Sequence, residues 1–314
     1  MFSVRWITAI FLNMPGSELD GVLPSRPTVS VVIITRNEGS ELEATVTNVL
    51  QTLPRDRREV IVVDDDSTDD STAFLTKVPE VTVLHSTGLG VARARNYGAE
   101  SATGDVILFA DAHVRAPAGC YELMCDVLRD ASVGSVAPGV YSMKTPERVG
   151  FGLDVTGPNL HTTWRRKAGA QPQAVPVLPG CFLAMRRDVY RRTGGYDPVM
   201  RQLGGNNAEL SCRLWLLGYR QLVVPEFAVA HLFRELPPYP SLWTSVLHNR
   251  LRMAFVHFGR ERLERVLQAL RGYEAFPAAM AMIRDTNVFS RRADLLGARQ
   301  FDDDWYFEQF TLTC

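Results

Sequence analysis

The sequence has almost no charge excess: 34 Lys and Arg stand against 35 Asp and Glu, a net charge of -1 over 314 residues. A nucleic-acid binder normally carries a basic surplus, so bulk charge argues against that class while leaving room for a local basic site. Long apolar runs are also missing. None approaches the roughly 20 residues that a membrane span needs. The opening Met1–Met14 is apolar but short, Arg5 interrupts it, and no small-residue cleavage site follows. It reads as a strand or docking segment rather than a signal peptide. Cysteine is sparse: five residues (Cys120, Cys125, Cys181, Cys212, Cys314), odd in number and widely scattered. No paired CxxC spacing suggests zinc, and the pattern reads as reduced, mostly buried thiols in a cytoplasmic protein. There is no internal repeat and no low-complexity tract. What remains is 46% hydrophobic and 22% charged residues, the balance of a globular protein of one large domain or two ordinary ones.

Asn13–Pro27 is rich in Pro, Gly and Ser and reads as a linker. After it, short β-branched runs alternate with helical periods. Strands are expected at Val29–Thr35, Glu59–Asp64, Val81–His85 and Asp105–Ala110. Helices are expected at Gly39–Leu53, Ser67–Lys77 and Gly88–Glu100. Apolar strands each followed by a helix imply a parallel sheet covered on both faces. In such sheets functional residues collect at the carboxyl ends of strands, here Thr35–Glu38, Asp64–Asp66 and Asp111–His113. Further on, a helix is expected at Asn206–Leu217 and a strand pair around Gln221–His231. Two amphipathic helices follow at Leu242–Phe258 and Glu261–Leu270. The first carries Leu242, Val246, Leu247 and Phe255 at helical spacing, a face suited to core packing. The tail from Arg271 gives no clear pattern, and its aromatic stretch Asp302–Phe310 could either cover an acceptor groove or pack on the domain.

Three constellations carry chemistry. Asp64-Asp65-Asp66-Ser67-Thr68 gathers like charges, which is costly unless a ligand or cation uses them; an acidic turn with a helix cap would look the same. Gly88-Leu89-Gly90-Val91-Ala92-Arg93-Ala94-Arg95 is a glycine turn entering a helix, which offers backbone N–H groups to an anion. It lacks the third glycine of a dinucleotide fingerprint and the acidic residue about 20 positions on, which excludes a nicotinamide dehydrogenase. Asp111-Ala112-His113 puts a carboxylate and an imidazole on one side of an extended segment, a donor pair suited to a first-row divalent metal. His231 ends another apolar run and is a candidate third ligand.

Together these elements describe a site for a nucleotide diphosphate and a metal. VSVVIITRNE, VIVVDDDSTDDS and GLGVARARNYGAESATGDVILFADAH resemble the nucleotide half of family 2 glycosyltransferases. The stretch GCFLAMRRDVYRRTGGYDPVMRQLGGNNAELSCRLWLLGYRQLVVPEFAVAHLFRELPPY is similar to the polypeptide N-acetylgalactosaminyltransferases and their bacterial relatives. DxH, GGxNxELSxRxW and VxHxFR occur in the same order, and Asn249-Arg250-Leu251 resembles the segment that follows. The resemblance covers residues 28–258. It implies an α/β GT-A fold, a mostly parallel sheet flanked by helices. It also implies residues 1–27 as N-terminal segment and linker, 28–258 as catalytic domain, and 259–314 as a C-terminal helical extension packed on it.

Residue by residue, the resemblance implies Asp111, His113 and His231 as metal ligands, for Mn2+ with Mg2+ as the alternative. Thr35, Arg36 and Glu38 match the loop around the uridine, and Asp65, with Asp64 beside it, the position that reads uracil. Arg95, Gly180 and Asp111 match positions near the nucleotide. Asn206, Asn207 and Glu209 match the segment facing the donor sugar. Arg234 and Glu235–Tyr239 match a loop that closes over the donor. Three departures stand out. Asn206 occupies a position usually held by Glu. Asn206-Asn207 replaces the ED pair of inverting enzymes, and an amide is no general base at neutral pH. Pro179 and Cys181 also differ from the usual donor-pocket residues. The implied function is metal-dependent transfer of GalNAc, GlcNAc or another hexose from a UDP-sugar to a peptide or protein Ser/Thr, with retention. Transfer to a small-molecule, lipid or polysaccharide acceptor, with inversion included, and a non-catalytic nucleotide-sugar binding module are the alternatives. A peptide or protein is the expected partner, with no nucleic acid.

Overall fold

The computed structural model describes residues 22–235, 238 and 242–314. The Met1–Met14 segment and most of the expected linker lie outside them. Val29–Thr35 (β1), Ser40–Thr52 (α1), Arg58–Asp65 (β2), Val81–Ser86 (β3), Val91–Glu100 (α2) and Val106–Asp111 (β4) form the first half. Strands β1, β2, β3 and β4 pair only in parallel with one another. Val114–Arg115 (β5), Cys120–Val127 (α3), Val133–Ser142 (β6), Thr145–Gly150 (β7), Leu153–Thr156 (β8), His161–Trp164 (β9), Gln173–Ala174 (β10) and Phe182–Arg186 (β11) follow. Then come Arg187–Thr193 (α4), Asn206–Leu216 (α5) and Arg220–His231 (β12). The main sheet runs β10-β12-β6-β11-β4-β1-β2-β3, with β5 and β7 at its margin, while β8 and β9 form a separate pair. Antiparallel β11 joins the parallel first half to the parallel β6–β12 pair. The α/β fold class expected from the sequence is the one observed.

Alternation along each strand splits the core between the two faces. Val32, Ile61, Val63, Ile107 and Phe109 are buried on one side. Val31, Ile33, Val60, Val62, Leu108 and Ala110 are buried on the other. Period two is the geometry of a strand, so double burial explains why these runs show no polar alternation.

Two expectations needed correction. The helix expected at Ser67–Lys77 is reduced to a short 3-10 turn at Ala73–Lys77. Side chains take the amides that a helix would need. Ser67 N–H donates to Asp64 (3.0 Å), Thr68 N–H to Asn37 (2.7 Å), and Ser71 N–H to Asp69 (3.1 Å). Asp and Asn compete with helices in this way. The strand pair expected around Gln221–His231 is one strand, β12, with a register break between Val224 and Ala228. Pro225 lies in that break. It cannot donate to the ladder, so the strand bulges and resumes.

Trp243–His257 (α6), Arg260–Leu270 (α7), Phe276–Arg284 (α8), Val288–Ala298 (α9) and Asp303–Gln309 (α10) complete the chain. Helix α6 packs against α7, α8 and α9. Leu247 on α6 is buried, whereas Leu242 precedes the helix and is exposed. The aromatic tail packs behind α5: Phe310 lies 5.1 Å and Trp305 6.2 Å from Trp215 between ring centroids. Tyr306 donates to Pro176 O at 3.1 Å. Buried ion pairs brace this region, one within α5 and others from α6 and α9 to the loop that carries Asp197. Arg252 meets Asp197 at 2.7 Å and Arg213 meets Glu209 at 2.8 Å, all four side chains at most 1% exposed. Arg291 from α9 reaches Asp197 at 2.9 Å. All five cysteines are free, and burial pushes the Cys120 and Cys125 thiols up to about 12. Among the described residues no helix is long and apolar enough to cross a membrane.

Candidate functional site

The chain order places β1 between β2 and β4. After β1 the chain proceeds to β2 and β3 on one side, then returns to pair β4 on the other. Such a reversal opens a crevice at the carboxyl ends of the strands. Thr35 is in register with Asp64, and Ile34 with Asp111, so the polar strand ends converge there. A cleft of about 810 Å³ opens above them, lined by Thr35, Arg36, Asp65, Asp111, His113 and Asn207 among others.

Asp111, His113 and His231 meet on its floor. Each contributes one ligand atom, and these atoms lie within 4.8 Å of one another. His231 reaches the triad because β12 pairs with the short β5, placing His231 opposite Val114. The His231 Nε2 to Asp111 Oδ2 distance is 3.3 Å. His113 Nδ1 lies 3.0 Å from Glu38 Oε2, which leaves its Nε2 for an ion, and a carboxylate behind a ligating imidazole is a familiar metal-site partner. His231 Nδ1 is buried without a protein partner. One carboxylate and two imidazoles fit a first-row divalent cation such as Mn2+. Burial opposes the Asp111 charge, but the His231 bond and Arg95 hold its carboxyl well below the usual range. Burial also opposes a charged His113, yet the bond to Glu38 and the nearby Asp111 raise its pKa above the ordinary value.

Arg95 is buried and serves as a brace. It donates to Asp111 Oδ1 (2.8 Å), Gly180 O (2.7 Å), Tyr196 Oη (3.1 Å) and Asn207 Oδ1 (3.1 Å). It therefore ties the metal-site carboxylate to one of the two amides expected to face the sugar. Glu38 is a second junction, accepting from Arg234 at 2.6 Å as well as contacting His113. Thr35 Oγ1 is buried without a protein partner at the cleft wall. Arg36 pairs with Asp66 at 3.0 Å.

The glycine turn departs from its simple reading. Its N–H groups at Leu89 and Gly90 already donate to the Asp65 carboxylate, at 2.6 and 2.8 Å, and Ser86 Oγ adds a third bond. The anion that the turn receives is Asp65 itself. Asp64 lies outside the cleft lining; it accepts from Ser67 N–H and contacts His85. Glu209 also fails to reach the cleft. It faces away from the sugar side of α5 and is 1% exposed, held by Arg213 and His257. Of the expected closing loop, Arg234 and Glu235 line the cleft, as does Pro238 in its middle; residues 236, 237 and 239 fall outside the described set.

Gly180 acts through its lack of a side chain. A Cβ there would fall 2.0 Å from Asn207 Oδ1. Gly180→Ala should therefore displace Asn207 and cut donor turnover by about tenfold, since lost positioning in a site costs on the order of 1 kcal/mol or more. Steady-state UDP release checks this, and an unchanged rate would show that the Asn207 position is immaterial.

Several cleft residues escaped the sequence reading. Phe233 packs against His231 with its ring tilted by 56° and the centroids 4.3 Å apart, and lies inside the VxHxFR stretch that pointed to its neighbours. Leu153, Val177 and Leu203 form apolar walls, Thr162 stands among them, and Met282 arrives from α8. No local pattern marks Met282, because α8 has no legible tie to the sheet.

A parallel half-sheet with a carboxylate and two imidazoles at its switch point is the arrangement of a GT-A glycosyltransferase. The family described as Glycosyl transferase family 2 matches residues 30–194, and this chain belongs to it. Human polypeptide N-acetylgalactosaminyltransferase 15 is 32% identical over 258 residues, covering 75% of this chain and 40% of that protein. Polypeptide N-acetylgalactosaminyltransferase 11 of Xenopus tropicalis is 31% identical over 263 residues, covering 74% and 43%. The chain thus spans less than half the length of these two relatives. Its fold is shared with the crystal structure of GalNAc-T7 with UDP, GalNAc and Mn2+, with a TM-score of 0.76 at 22% identity over 91% of this chain and 57% of that one. A Pyrobaculum calidifontis mannosyltransferase in complex with GDP-Man and Mn2+ gives 0.53 at 20% identity, covering 88% and 87%.

Proposed function

We propose that this chain transfers a hexose, GalNAc or GlcNAc first among the candidates, from a UDP-sugar to a Ser or Thr hydroxyl of a peptide or protein, with retention. The observation that carries the reading is the Asp111, His113 and His231 triad on the floor of a cleft that Asn206 and Asn207 also line. The names of the 32% and 31% identical relatives support the peptide acceptor. Asp111, His113 and His231 would hold a Mn2+ or Mg2+ ion, which when bound neutralises charge on the leaving diphosphate. Glu38 fixes the His113 ring, and Arg95 fixes both Asp111 and Asn207. Arg234, anchored on Glu38, adds a cation at the phosphate side.

The groups at the sugar side are amides, and an amide cannot accept the acceptor's proton. We assign that role to the leaving diphosphate. The anomeric C–O bond to phosphate breaks, the acceptor oxygen bonds to the anomeric carbon on the same face, and its proton passes to a phosphate oxygen. Thr35 and Arg36 are assigned to the uridine. Asp65 would read the base with the Oδ2 lone pair that the glycine turn and Ser86 leave free. The five free thiols support a reducing, cytoplasmic setting.

The test is UDP release from a panel of UDP-sugars, with and without Mn2+, followed by Ser/Thr peptides as acceptors. The expected result is one preferred donor turned over only with metal, and an α-linked glycopeptide by proton NMR. A β-linked product from an α-linked donor would remove retention. Absence of calorimetric binding for every UDP-sugar would remove the nucleotide assignment.

A further inference from the structure

Residues 201–206 form the turn that delivers Asn206 and Asn207 to the cleft. Its backbone is unusual: Gln202, Gly204 and Gly205 all have positive φ, at 41°, 93° and 78°. A turn of this shape does not satisfy its own backbone polar groups, and buried ones need partners. The partner lies outside the turn, on α6. Asn249 is fully buried. Its Oδ1 accepts from Arg201 N–H at 2.8 Å. Its Nδ2 donates to Arg201 O at 2.8 Å and Gly204 O at 2.7 Å, and lies 3.4 Å from Asn206 Oδ1. His248 Nδ1 sits 3.1 Å from Asn249 Oδ1.

We infer that Asn249 is a positioning residue that clamps the sugar-facing turn and so sets where Asn206 and Asn207 meet the donor; this rests on the sugar-transfer reading above. Only a primary amide presents one acceptor and two donors from a single planar group. Asp would keep the bond from Arg201 N–H but would turn an anion onto the Arg201 and Gly204 carbonyls. An apolar residue would leave all three backbone groups unpaired. The approach is also close: a Cβ on Gly205 would lie 3.4 Å from the Asn249 Cβ. The chain of contacts continues toward the metal site, because Asn207 is held by Arg95 and Arg95 by Asp111. Asn249 itself touches no group at the uridine end of the cleft, and the turn it holds meets that end where Val91 N–H donates to Gln202 O at 3.3 Å, so its loss should weaken sugar transfer far more than nucleotide binding.

The experiment compares wild type with Asn249→Asp. The expected outcome is a kcat for UDP-sugar turnover lower by about 10- to 100-fold, the scale of one or two buried hydrogen bonds lost, with UDP affinity by calorimetry within about twofold. A folded Asn249→Asp protein with wild-type kcat overturns the inference. So does a parallel loss of UDP affinity and turnover, which marks general damage. Gly205→Ala strains the same turn, through its φ of 78° and a Cβ directed at Asn249, and carries the test if Asn249→Asp does not fold: it should show the same split, and an unchanged kcat overturns the clamp. Amide exchange at Arg201 in Asn249→Ala is independent of turnover. Faster exchange supports the clamp and wild-type protection refutes it, even if wild type binds no UDP and the sugar-transfer reading itself falls.

Discussion

Asp111→Asn will lose at least about a thousandfold in metal-dependent UDP-sugar turnover, because removing a leaving-group charge stabiliser costs on the order of several kcal/mol. Asp111 supplies the one carboxylate among the three clustered ligand atoms. An amide in its place offers a weaker, neutral oxygen to a divalent cation. The structure also limits the collateral damage. Arg95 would keep its bonds to Gly180 O, Tyr196 and Asn207, so the brace behind the site should stand. Calorimetric titration with Mn2+ should show the affinity loss directly, and a urea melt should show some loss of stability as well, because buried Arg95 loses its ion pair with Asp111 (2.8 Å) and keeps neutral partners; turnover is therefore compared per folded molecule. Retention of metal-dependent turnover within tenfold would mean that Asp111 is not a ligand.

Glu209→Ala should act in the opposite manner: a large loss of stability with little loss of chemistry per folded molecule. The sequence pattern places Glu209 among the sugar-facing residues, but the structure buries it against Arg213, with Arg291 behind. Deleting one partner of a buried ion pair leaves the other charge uncompensated, at about 3–5 kcal/mol. The sign of the pH dependence follows. Burial raises the Glu209 pKa, but Arg213 and the bond to His257 bring it well below 4.5. Its contribution is therefore present above the unfolded carboxylate range and lost as pH falls through the depressed folded value. Burial keeps His257 neutral, below its ordinary 6.5. The unfolded chain takes up that proton first, so stability also declines as pH drops below 6.5. Wild type should lose stability to acid in two stages, and Glu209→Ala should show a smaller lower one, with the depressed Asp111 carboxyl still contributing to it. Urea denaturation across pH, with kcat measured on the folded fraction, tests both. A stable Glu209→Ala protein with abolished turnover would return Glu209 to the donor site.

Much of the site was legible because parallel strands place their carboxyl ends together. Thr35, Asp65 and Asp111 each follow an unbroken apolar run, and register alone brings such ends to one edge. The proposed metal triad was half legible: Asp111 and His113 share a segment, whereas His231 is 118 or more positions away and joins them only through the β5–β12 pairing. Met282, the cleft residue that comes from α8, had no local signal, since only the packing of α8 on α6 carries it to the cleft rim.

The sequence by itself determined the α/β class, the strand ends that carry the polar groups, and the residue types from which a divalent-metal and nucleotide site can be built. These follow from periodicity and from charge placed beside apolar runs, which are local properties. Tertiary structure alone decided which polar residue faces the cleft and which faces the core. It turned Glu209 inward to Arg213, gave the glycine turn to Asp65, made Arg95 and Glu38 braces, and set Asn249 under the 201–206 turn. The physical reason is that a buried charge or amide takes its role from the partner that compensates it. That partner is chosen by the packing of distant elements, which no local pattern records.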